Sequence, residues 1–176
     1  MHASLEKKYK KIIQEYNSLL QECACFSFEE LNQPITTGKW SVAQILTHCN
    51  SSVSAVLGYL QHKLQQPQKI PNKNITTWFR SKLLNAALKS DLKFKAPKSI
   101  ETVSQEIHFE EIKTAWTKQQ TALQNLLFSF PLNLLDKTVF RHPVAGRVTM
   151  DQTLEFLYLH LLHHKRQILR HINNIK

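Results

Sequence analysis

Histidines are the residues of this chain whose types and spacing could do chemistry. His160 and His164 stand four apart near the C-terminus, and His48 stands alone in the second quarter. Four residues is just over one helical turn, so on a helix His160 and His164 project from one face with their rings a metal-ligand bite apart. A third imidazole from a facing helix completes a tri-histidine site for a divalent ion with one open coordination position. Such a site suits water activation or substrate binding better than a purely structural role.

Abundance alone proves little, since most histidines on helices are surface groups or hydrogen-bonded core groups. Position says more. His164 falls between Leu161 and Ile168 on an apolar stripe, where a buried polar ring needs partners. His160, one turn back, lies about 40° away around the helix, whereas the competing His163 lies about 100° from His164. His171 projects like His164 but lies about two turns further along, too far to share an ion. His48 sits between Ile45 and Cys49, and its stripe runs on through Ser52, Ala55 and Tyr59. That run is expected to leave space beside an ion and to offer the Tyr59 hydroxyl, unless it is plain helix packing. Gln167 and Gln44 are candidates to hold an imidazole tautomer by hydrogen bonding. His142 precedes Pro143 and is expected extended in a loop. His2, His62 and His108 show no partner pattern, and no catalytic acid or base can be named.

The elements that must position these residues are helices. Six prolines divide the chain into long segments, and each long segment carries a helical stripe. Tyr9, Ile12, Tyr16, Leu19 and Cys23 form the first. Val42, Ile45, Cys49, Val53, Val56 and Leu60 form the second, and Phe109, Ile112, Trp116, Leu123 and Leu126 the third. Leu154, Leu157, Leu161, His164, Ile168 and Ile175 form the fourth. Capping boxes at Ser41–Gln44 and Thr149–Gln152 place helices over about 41–65 and about 149–174. The long connection 66–104 is expected to hold a short extra helix over Thr77–Ser90, and 131–148 a turn-forming run. Four such stripes bury one another in an all-α four-helix bundle with long crossover connections, a single domain over 1–176.

Composition removes other classes. Three glycines are too few for a turn-rich β sandwich or barrel. No apolar run approaches the roughly 20 residues that span a bilayer, and the N-terminal run MHASLEKKYKKII has no signal core. Three cysteines cannot all pair within the chain, so a reducing, cytoplasmic setting with no membrane is expected. The net charge of +10 comes from cations spread along the chain, yet residues 31–90 contain no Asp or Glu. That stretch holds His48 together with Lys39, Lys63, Lys69, Lys73, Arg80, Lys82 and Lys89, a setting that favours anionic substrates and neutral imidazoles.

At this point the residues resemble a known family. Lys39-Trp40-Ser41 through Thr47-His48 resembles the W-S-x-x-x-x-x-x-H opening of the second helix in DinB/YfiT-like proteins. His142-Pro143-Val144-Ala145-Gly146-Arg147-Val148-Thr149, followed by His160 to Ile168, resembles that family's HP-x-x-G-x-x-T…H-x-x-H-H-x-x-Q-I ending. Lys95-Ala96-Pro97-Lys98 is similar to a phrase of one branch. The resemblance implies an up-down-down-up bundle and a divalent metal, zinc or nickel foremost, held at the positions of His48, His160 and His164. It also implies metal-dependent hydrolase or thiol S-transferase chemistry, the latter with a low-molecular-weight thiol, and a homodimer. No motif here specifies the thiol.

Three functions compete on the sequence. The first is a metal-dependent enzyme that activates a water or thiol against a small-molecule substrate. The second is a non-catalytic, metal-stabilised bundle. The third, suggested by charge alone, is a nucleic-acid-binding module, which no helix-turn-helix or aromatic stacking platform supports.

Overall fold

In a computed structural model of the chain, residues 1–34, 36, 38–89 and 106–175 are described. The phrase Lys95–Lys98 and residue Ser90 lie outside them. Helices α1 (Ala3–Cys23), α2 (Phe28–Asn32), α3 (Val42–Leu64), α4 (Ile75–Lys89), α5 (Phe109–Phe128) and α6 (Met150–Ile175) make up most of the fold. The sequence-expected boundaries of α3, α4 and α6 agree to within two residues of these.

The capping boxes do what their spacing demands. Ser41 Oγ accepts the Gln44 N–H at 3.2 Å, and Gln44 Oε1 accepts the Ser41 N–H at 2.9 Å. Thr149 and Gln152 repeat the exchange ahead of α6, with Gln152 Oε1 taking the Thr149 N–H at 2.9 Å. Each exchange satisfies two amides that a helix start otherwise leaves orphaned.

Side-chain pairing fixes the direction of every bundle helix. Lys8 near the start of α1 pairs with Asp151 and Glu155 near the start of α6, and Glu15 and Glu22 further on pair with Lys165. Helices α1 and α6 are therefore parallel. The Tyr16 hydroxyl, late in α1, donates to the Leu46 carbonyl, early in α3, so α3 runs against α1. Asn50 Nδ2, early in α3, donates to the Ile112 carbonyl, early in α5, making α3 and α5 parallel. The order is up-down-down-up, and the long crossovers on either side of α5 make that order possible.

The stripes meet in one core. Tyr16 stacks on Trp116 with ring centroids 4.0 Å apart, and the Trp116 indole N–H donates to Asn17 Oδ1 at 2.9 Å. Leu5, Leu46, Leu60, Leu123 and Leu154 are fully buried along the length of the bundle. Helix α4 packs on the outer side of α6, where Arg166 donates to the Leu88 carbonyl at 2.8 Å.

Helix α2 and a short hairpin lie outside the sequence expectation. Ser27 and Glu30 form a third capping box that starts α2. The turn-forming run before α6 is an antiparallel hairpin of β1 (Phe140–His142) and β2 (Gly146–Val148), with Arg141 opposite Arg147. Gly146 closes it at φ +72, where an added Cβ would meet Arg80 Nη1 at 3.3 Å.

Candidate metal centre

Helix α3 delivers His48 and helix α6 delivers His160 and His164 to one point. Because α3 and α6 are antiparallel, the early part of the former lies beside the middle of the latter. One ring nitrogen from each histidine lies within 4.8 Å of the other two. His160 Nε2 is 3.2 Å from His48 Nε2 and 3.1 Å from His164 Nε2. Ligands about 2.0–2.1 Å from a tetrahedral ion sit about 3.3–3.4 Å apart, so a small outward movement of the rings would admit one. The donor set is chemically suited to a borderline divalent cation.

Protonation favours the same use. Burial holds His48 down at about 4 and His164, helped by His48 beside it, down at about 3. His160 is pushed well below its ordinary 6.5 by burial and then by the neighbouring histidines. All three rings are neutral at pH 7 and keep a lone pair to give.

Hydrogen bonds lock one ring and leave another unsupported. Gln167 Oε1 accepts from His164 Nδ1 at 2.9 Å, which places the proton on Nδ1 and turns the Nε2 lone pair towards the other histidines. The same amide's Nε2 donates to His163 Nε2 at 3.1 Å. Gln167 thus engages His163 as well, and the group of converging ring nitrogens comprises His48, His160 and His164 without it. His48 Nδ1 is buried and has no hydrogen-bond partner among the described residues. Trp40 packs on His48 with centroids 4.9 Å apart, and Phe156 on His160 at 5.4 Å, so aromatic rings wall the centre on two sides.

Other expectations are corrected. Tyr59 shares the angular face of His48 but lies eleven residues along α3, about 16 Å at 1.5 Å per residue. It is 38% exposed and its ring meets Phe140 edge-on. Ala55 is also exposed, while Ser52 turns back to donate to the His48 carbonyl at 3.0 Å. Gln44 commits its amide oxygen to the helix cap. His142, expected as a loop residue without a role, is buried in β1 and packs edge-on against Phe156 at 4.3 Å. Its H-P-x-x-G setting marked a turn, but the contact with Phe156 depends on the hairpin folding back over α6.

A bundle of this direction order with three convergent imidazoles defines a class. The DinB superfamily profile matches residues 11–168, and the chain belongs to that superfamily. Among solved structures, the chain is similar to YfiT from Bacillus subtilis, described as "a probable metal-dependent hydrolase with an unusual four-helix bundle topology". The two share 15% identity with a TM-score of 0.58, over 99% of this chain and 90% of that one. No curated protein matches the chain. Among the described residues, no helix is long and apolar enough to cross a membrane.

Proposed function

We propose that the chain is a metal-dependent hydrolase of a small-molecule substrate, with one divalent ion held by His48, His160 and His164. The observation that carries the reading is the convergence of three neutral imidazoles from two antiparallel helices, with His160 Nε2 3.2 Å from His48 Nε2 and 3.1 Å from His164 Nε2. The description of YfiT as a metal-dependent hydrolase points the same way. When bound, such an ion lowers the pKa of its water towards neutrality and so supplies a nucleophile.

The chain's own residues do the rest. His164, fixed by Gln167, presents its lone pair in one orientation. Trp40 and Phe156 exclude water from two sides, which strengthens every electrostatic interaction inside. Lys39, exposed, adjoins Trp40, so a cation borders the segment whose indole packs on His48. That placement favours an anionic substrate. The three cysteines are unpaired, two of them buried, in keeping with a reducing cytoplasmic setting. A low-molecular-weight thiol at the open position would direct the same centre to group transfer.

The test is a panel of carboxylic ester, amide and phosphoester probes, run on zinc- and nickel-loaded protein with and without added thiol. Turnover that appears with metal and is lost in His164→Ala supports the reading. Turnover that needs an added thiol and consumes it assigns transferase chemistry. Metal-loaded protein inert towards every probe class would overturn the enzymatic reading in favour of a metal-stabilised bundle.

A further inference from the structure

The hairpin holds a fourth histidine in a defined chemical state. His142 Nδ1 accepts two backbone N–H groups, from Val144 and Ala145, each at 3.1 Å. Backbone amides can only donate, so Nδ1 carries no proton and the neutral ring must carry it on Nε2. The turn Pro143–Gly146 thereby turns His142 into a one-sided group, an acceptor towards its own loop and a donor at the opposite corner of the ring. The side chain is 8% exposed and its ring packs on Phe156, which packs on His160. Both imidazoles therefore touch the same phenyl ring, which sets His142 beside the metal centre. Burial keeps His142 down at about 4, so it remains neutral at pH 7.

We propose that His142 is a substrate-binding residue of the centre: its Nε2–H donates a hydrogen bond to the substrate oxygen that gains negative charge as the nucleophile adds. A neutral imidazole with a fixed N–H is an effective electrophile, because its dipole is preorganised and a proton need not be lost to make it a donor. The inference rests on the metal-centre reading above and adds a group from outside the three-histidine cluster.

A structural role in closing the turn is separable from donation by two substitutions. His142→Asn keeps a short acceptor for the Val144 and Ala145 amides, as Asx turns do, but cannot reach the Nε2 position. His142→Gln carries an amide N–H out to that position but gives up the turn acceptor. The probe is acetohydroxamate, a metal-binding oxyanion, titrated into cobalt-loaded protein by visible absorption. Nitrogen-15 NMR of the metal-free parent reads the His142 tautomer independently. The expected result is an Nε2–H tautomer, probe binding weakened about tenfold in His142→Asn with unchanged metal content and Tm, and recovery in His142→Gln despite a lower Tm. An Nδ1–H tautomer, or equal probe affinity in the parent and His142→Asn, would overturn the inference and leave the metal reading standing. A parent that takes up no cobalt would overturn both.

Discussion

Gln167 is the residue through which the account can be pressed hardest without touching a proposed ligand. Its Oε1 accepts from His164 Nδ1 at 2.9 Å and its Nε2 donates to His163 at 3.1 Å. Gln167→Ala removes both. His164 is then free to place its proton on either nitrogen and to rotate about its side-chain torsions, so part of its population no longer offers Nε2. Loss of a group that orients a metal-bound histidine costs about 10–100-fold in affinity, or about 1.4–2.7 kcal/mol. The bond here is part-buried and between neutral groups, which favours the lower end, about tenfold. Gln167→Glu keeps the acceptor towards His164 and loses only the donor to His163, so its metal affinity is expected within about threefold of the parent. The assay is competition for zinc against a chromophoric chelator at pH 7.5, with apo-protein Tm measured beside it. Gln167→Ala binding zinc as tightly as the parent, with its fold intact, would refute the claim that this amide orients a ligand.

Other consequences are simpler to state. His48 and His142 titrate at about 4 in the fold against an ordinary 6.5, so between those values the unfolded chain binds more protons. Metal-free protein should hold its stability above pH 6.5 as far as these groups are concerned, then lose up to about 1.4 kcal/mol per pH unit for each as the pH falls towards 4; urea midpoints that do not move between pH 6.5 and 4.5 would contradict this. Trp116→Ala removes a side chain that is 2% exposed and stacked on Tyr16. It should cost about 3–5 kcal/mol in chemical unfolding, and a loss below about 1 kcal/mol would show that this stack does not hold α1 to α5. Gly146→Ala sets a side chain at φ +72 and 3.3 Å from Arg80 Nη1. A loss of about 1–2 kcal/mol is expected, and an unchanged Tm would show that the hairpin relaxes freely.

The bundle was legible in the sequence because its signals are local. Stripes at spacings of three and four, and the caps at Ser41 and Thr149, need nothing from the rest of the chain to be read. The site was legible for a related reason: His160 and His164 share a helix, so their common face follows from helical pitch. His48 also requires the packing of α3 against α6; its place on the stripe between Ile45 and Cys49 makes it the candidate, and the family resemblance points to the same residue. Tyr59 misled because angular agreement on a helix says nothing about distance along it. Gln44 is a candidate partner for an imidazole by position, yet it also carries the capping signal, and the cap takes its amide oxygen. His142 escaped because strands of three residues have no periodicity to find, and its burial comes from a hairpin that folds over α6. The α2 cap has a local signal too, Ser27-Phe28-Glu29-Glu30, but the helix it starts is too short to carry a stripe.

The central claim is that His48, His160 and His164 hold one metal ion between them. Elemental analysis of untagged protein, reloaded with zinc or nickel and dialysed, tests it most directly when a His48→Ala/His164→Ala double variant is carried alongside. The account predicts close to one ion per chain in the parent and none in the folded double variant. Equal metal content in the two, or none in the parent after reloading, would contradict it.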